Sequence, residues 1–264
     1  MRPRLKTPLV TASIIVLLGL TSCDRNSNTL SEESQATLNV LKEEGKVAKA
    51  EAIRQLDEQG YIEPDRDLIT KASEKLAEAA SNATGDEKIL LNTASRFNLI
   101  LRDIAEAYQA AQAKFNDAGG LDLDTIQNEE DAVDRLGILA EWKLAAETME
   151  HTLRTMEQSF TDAMVAGGAA RGRAEHGASG FVGGLNLDVV LAIRGSDARF
   201  MAAAGEMLEI FRANLGLVSI DEEGVTLFDE SVSPETIDQY NDALNRYWGE
   251  VDLQDRLTRQ LLGG

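Results

Sequence analysis

Cysteine, histidine and proline are nearly missing from this sequence. Its 264 residues hold one cysteine, two histidines and four prolines. A lone cysteine closes no disulfide within the chain and builds no thiolate zinc site. His151 and His176 have no glutamate three residues before them, so the paired Glu-x-x-His motif of di-iron bundles is absent too. No metal, cofactor or catalytic constellation is expected, and stability must come from a packed core. Few prolines leave long helices unbroken. Basic residues are also short, 26 against 45 acidic, for a formal charge of −19. Such a chain repels phosphate backbones and anionic lipid surfaces, which argues against nucleic acid as a partner.

A run long enough to cross a bilayer is missing as well. The most apolar stretch, Leu9 to Leu20, reads LVTASIIVLLGL, well short of the roughly 20 residues a spanning helix needs. Arg2, Arg4 and Lys6 precede it, and no acid occurs before Asp24. A basic start, a short apolar run and a small-residue end make a secretory signal peptide.

The single cysteine sits where that segment ends, in Leu20-Thr21-Ser22-Cys23. An aliphatic residue, two small residues and a cysteine in this setting resemble the lipobox of bacterial lipoproteins. The resemblance covers residues 1–23 alone. It implies removal of residues 1–22, a diacylglyceryl group on the Cys23 sulfur and a further acyl chain, such as palmitate, on the new amino group. One acyl chain holds a protein marginally and two or more hold it stably, since each buried methylene adds about 0.8 kcal/mol. Asp24, next to the cysteine, resembles the retention signal of enterobacterial lipoproteins. It implies the outer face of the cytoplasmic (inner) membrane in preference to the outer membrane. Losing three basic residues with the leader takes the formal charge from −19 to −22. Residues 23–30 are then the lipidated cysteine and a polar tether reaching on the order of 15 Å.

Residues 31–264 read as one all-α domain, an elongated bundle of about six helices. The first is expected from Ser31 to Gln59, before Gly60. The second starts near Pro64 and ends before Gly85. In the third, Leu90, Ala94, Phe97, Leu101, Ile104, Tyr108, Ala111 and Phe115 alternate spacings of four and three, and Gly119-Gly120 ends it. The fourth covers Asn128 to Ala166. The fifth covers Leu187 to Leu215, with a stripe of Leu187, Leu191, Ala198, Met201, Gly205, Leu208 and Leu215. The sixth opens at Ser233-Pro234-Glu235, a cap followed by proline in the first turn. Between the last two, residues 217–228 read as a small β-hairpin, with Val218 and Ile220 facing Val225 and Leu227 and with Ser219 and Thr226 on the other face.

Residues 167–184, GGAARGRAEHGASGFVGG, read as a glycine-rich loop. In so acidic a chain, Arg171 and Arg173 with His176 are candidates to hold an anion or an acidic partner. The glycines do not make a phosphate loop, because the lysine and the preceding strand are lacking. Ser179 in GASGF is not a hydrolase elbow. Elsewhere, Glu147 and His151 sit one turn apart and read as a surface pair. Ser219, Asp221, Glu223, Gly224 and Glu230 fall on calcium-loop positions, but serine at position 1 and glutamate at position 5 favour a plain turn. Arg194 and Lys143 interrupt apolar stripes. Each is either a buried cation paired with a carboxylate or a stripe-edge residue with its head group in water, and the second is favoured.

The sequence thus leads to a lipid-anchored bacterial envelope protein. The expected role is non-enzymatic, as a scaffold, adaptor or partner-binding bundle, with the membrane met through Cys23 and a protein of the envelope as partner. The alternative is a small-ligand or cell-wall-component binding module or enzyme with its site near Gly167–Gly184.

Overall fold

Ser31 caps the first helix. Its Oγ accepts from the Ser34 N–H at 3.3 Å and donates to Glu87 at 2.7 Å, so one hydroxyl satisfies a helix end and ties it to a neighbouring helix. In the computed structural model the described residues are 30–59, 62, 66–221 and 225–263. The leader, Cys23, Asp24, Gly60, Pro64, Glu223 and Gly224 lie outside them. Among the described residues there are seven α-helices: α1 (Glu32–Gln59), α2 (Arg66–Asn82), α3 (Gly85–Asp117), α4 (Glu129–Ala166), α5 (Arg171–Gly183), α6 (Leu187–Ala213) and α7 (Pro234–Leu262). A short 3-10 turn, Leu123–Thr125, follows α3, and β1 (Val218–Ile220) pairs antiparallel with β2 (Thr226–Phe228).

The helix ends follow the residues that the sequence offers for them. Gly119 adopts φ +103°, and the N–H groups of Gly119 and Gly120 reach back to Asn116 and Phe115 at 2.9 and 2.8 Å. That pair of bonds closes α3 in a left-handed cap. Ser233 Oγ accepts from the Thr236 N–H at 3.2 Å, with Pro234 opening α7. Gly168, at φ +104°, closes α4 in the same way as Gly119 closes α3.

Three expectations are corrected. First, residues 171–183 are a helix and not a loop. Ala174, Gly177, Ala178 and Phe181 are buried along one face, at the i, i+3, i+4, i+7 spacing of an amphipathic helix. The glycine count masked it. At Gly177 a β-carbon would sit 2.9 Å from Met164 Sδ and 3.1 Å from Leu90 Cδ1, so close packing replaces the propensity that glycine lacks.

Second, the buried face of α6 is rotated from the apolar stripe read in the sequence. It runs through Val190, Ile193, Arg194, Asp197, Phe200, Ala204, Met207 and Phe211; of the expected stripe Met201 and Leu208 are buried beside it, while Leu187, Leu191, Ala198, Gly205 and Leu215 are only half buried. Two charged residues stand in the middle of this seam, and a search for apolar residues alone steps around them. Third, the hairpin register is Val218↔Phe228, Ser219↔Leu227 and Ile220↔Thr226. Val218, Ile220, Thr226 and Phe228 therefore share the inner face, and Leu227 turns outward with Ser219. The inner face meets α7: the Thr226 hydroxyl lies 2.8 Å from the Tyr240 hydroxyl, and the Phe228 and Tyr240 rings are 5.3 Å apart.

The described chain divides into two compact units. One holds residues 107–148 and 193–256, including the hairpin. The other holds the described parts of 9–106 and 257–264 with 149–192. Helices α3, α4, α6 and α7 contribute a segment to each. The scarce aromatic residues are concentrated in two nuclei, one per unit. In the hairpin unit Trp142 packs against Tyr108, Phe115 and Phe200 at 6.0, 5.6 and 5.6 Å between ring centroids, and Phe200 meets Tyr247 at 4.6 Å. In the second unit Phe160 stacks on Phe181 at 4.7 Å and tilts against Phe97 at 5.0 Å. There α2 approaches α3 closely at a serine pair, where Ser73 Oγ donates to the Ser95 carbonyl at 2.8 Å and Ser95 Oγ to that of Ser73 at 2.9 Å.

Candidate functional site

The three cation candidates of the glycine-rich stretch lie on α5 and are all exposed. At about 100° per residue, Arg171 and Arg173 fall about 200° apart and flank the buried face on opposite sides. Arg171 faces Asp162 at 3.7 Å and Glu175 at 4.0 Å. Arg173 pairs with Asp86 in the first turn of α3. Each arginine thus has its own carboxylate, and His176 points away from the buried face. The helix does not bring the three side chains to one concavity.

The interior of the hairpin unit holds a polar cluster that was half legible. Arg194 is 1% exposed and Asp197, one turn later on α6, is 2% exposed. Arg194 Nη1 lies 2.9 Å from Asp197 Oδ2, and Gln254 Nε2 of α7 donates to Asp197 Oδ1 at 2.8 Å. The Arg194 guanidinium also covers the Tyr108 ring of α3, 4.7 Å from its centroid, which adds a cation–π contact in a desolvated place. Burial pushes the Tyr108 hydroxyl far above its ordinary value, and the Asp197 carboxylate adds to the effect against the opposing pull of Arg194. Tyr108 therefore stays protonated. Arg194 follows the reading that was disfavoured for it. Lys143 follows the favoured one: its side chain is 54% exposed, 3.9 Å from Glu147. That contact also gives Glu147 a partner other than His151, which is exposed.

Next to this cluster α6 and α7 make a second junction nearer to solvent. Arg199 grips Glu250 with both ends of its guanidinium, at 2.7 and 2.9 Å, and Ser196 Oγ donates to the same carboxylate at 2.7 Å. Burial raises the Glu250 pKa, and the bonds from Arg199 and Ser196 outweigh that and hold it below the usual carboxylate range. At the start of α4, Arg135 is 5% exposed and reaches back to the Gly120 carbonyl at 2.7 Å and the Thr125 hydroxyl at 3.0 Å. It fastens the loop that follows α3.

No protein-family model, curated protein or solved structure matches this chain.

The polar residues at the α6–α7 junctions form internal pairs: Arg194 with Asp197, Asp197 with Gln254, and Glu250 with Arg199 and Ser196. Arg194, Asp197, Gln254 and the Tyr108 ring link α6 to α7 and α3 within the hairpin unit. Among the described residues no group of three or more His, Cys, Asp or Glu side chains is arranged to hold a metal ion. None of the described helices is by itself long and apolar enough to cross a membrane; α5 and α6 meet that test only as a pair bent by 61°. Asp197 was missed although it stands three residues after Arg194. Reading charge pairs at i, i+3 inside an apolar run would have found it.

Proposed function

We propose that this chain is a lipid-anchored protein of a bacterial envelope and acts as a non-enzymatic, partner-binding helical bundle. The observation that carries this reading is the order of residues 1–23: Arg2, Arg4 and Lys6, the apolar run from Leu9 to Leu20, and Leu20-Thr21-Ser22-Cys23. The lipid on Cys23 attaches it to the membrane. Asp24 favours the outer face of the cytoplasmic membrane. A formal charge of −22 after cleavage keeps the folded body off anionic lipid, so the thioether does the anchoring and the surface remains open to proteins.

A binding role is supported by the distribution of polar and apolar groups. Buried Arg194 and Asp197 face each other within α6, and buried Arg135 is taken up by a carbonyl and a hydroxyl. Large apolar side chains, by contrast, face outward: Val47 is 71% exposed and Leu144 is 64% exposed. The test is fractionation and crosslinking in the native host. The chain is expected in the membrane fraction, crosslinked to a defined envelope protein, and a Cys23→Ser variant should leave that fraction. A wild-type chain that is soluble, or that yields no specific crosslink, overturns the reading.

A further inference from the structure

The two-stranded hairpin turns one face to α7 and the other to solvent. On the solvent face Leu217, Val225 and Leu227 are 41%, 48% and 48% exposed. The register makes them neighbours. Leu227 stands opposite Ser219 and diagonal to Leu217, whose carbonyl accepts from the Asp229 N–H at 2.8 Å, and Val225 follows two places before Leu227 on the same strand side. Tyr240 covers the other side of the strands, and the 3-10 turn Leu123–Thr125 neighbours β1.

Charge decides what can cover it. Asp221 and Asp229 stand on the same face and Glu230 follows directly. Among the described residues of the hairpin and its flanks, 217–221 and 225–230, every charged residue is acidic. Arg212 itself is engaged by Glu209 at 2.7 Å and by Glu129 at 3.5 Å. Serine N–H and O–H bonds to Asp229 keep it ionised to lower pH than usual. A second copy would set these acids against their own kind, and an anionic bilayer would repel them. A cationic segment bearing apolar side chains satisfies both the row and its rim.

Resting on the partner-binding reading above, we infer that the outward face of the hairpin, Leu217, Val225 and Leu227 rimmed by Asp221 and Asp229, is the docking surface for a basic, apolar segment of another protein. The apolar row supplies affinity, and the acids select sign and speed the encounter.

The test has two arms. In the first, fluorescence anisotropy measures the purified chain against three synthetic ten-residue peptides: alternating Leu-Lys, alternating Ser-Lys and alternating Leu-Glu. The Leu-Lys peptide is expected to bind saturably and the other two far more weakly. Leu217→Ser with Leu227→Ser should weaken Leu-Lys binding about tenfold or more, the loss expected when a leucine contact disappears. Both side chains face solvent, so thermal unfolding should hardly move. Equal binding of Ser-Lys and Leu-Lys, or unchanged binding by the double variant, overturns the inference. In the second arm the same double variant is crosslinked in native membranes. A partner captured by wild type and lost from the variant supports the inference, and one captured equally by both refutes it while leaving the partner-binding reading intact. Capture by neither, with Leu-Lys binding that the double variant loses, refutes that reading and leaves the hairpin surface standing.

Discussion

Arg194 shows what one side chain can dictate. It is enclosed within the hairpin unit with Asp197 one turn away and Gln254 reaching the same carboxylate from α7. Losing one member of such a pair leaves a charge stranded in low dielectric, while replacing both with apolar residues does not. Asp197→Asn should therefore lower unfolding free energy by about 3–5 kcal/mol in urea titration, and Arg194→Met with Asp197→Leu should recover most of it. An equal loss in the double variant would mean that packing, and not the stranded charge, dominates. Glu250 gives a pH signature. Its folded pKa lies below the ordinary 4.5, so its bonds to Arg199 and Ser196 stabilise the fold above that value. The contribution is lost as pH falls below 4.5 through the depressed folded value. Glu250→Gln should melt well below wild type at pH 7, with the two curves converging as acid is added. A gap that stays constant with pH would remove the carboxylate from the account.

At the scale of elements, α5 offers the sharpest test, because composition and fold disagree there. Gly172 and Gly183 have open space where a β-carbon would stand, and Gly177 does not. Gly172→Ala should stabilise a helical α5 by up to about 1 kcal/mol, while Gly177→Leu, driven into Met164 and Leu90, should destabilise by about 1–3 kcal/mol. Thermal melts of the two variants that match each other would mean that this stretch is not a packed helix. The same disagreement explains what the sequence made legible. Helices with caps and an apolar period, α1 from Ser31, α3 up to Gly119 and α7 from Ser233, could be read directly. Small residues hid α5, since Ala174, Gly177 and Ala178 give a weak apolar signal although they are buried. Charged residues in a seam hid the true face of α6. The hairpin was visible as two short β-rich runs, but the contact of its inner face with Tyr240 of the following helix was not. Of the proposed anion site, the residues were legible and their divergence was not, because that required knowing that they share a helix.

For the whole molecule, charge and lipid act together in the proposed reading. Cleaved before Cys23, the chain would carry a formal charge of −22 and have no affinity of its own for an anionic membrane, so the proposed place in the envelope depends on Cys23. The hairpin surface and the outward leucines and valines matter to a partner only if the chain is held where that partner is. Intact-mass analysis of the protein isolated from its native host tests this most directly. The expected chain begins at Cys23 and is heavier than its amino acids by a diacylglyceryl group and a further acyl chain. A free Cys23 thiol, or residues 1–22 still attached, would contradict it.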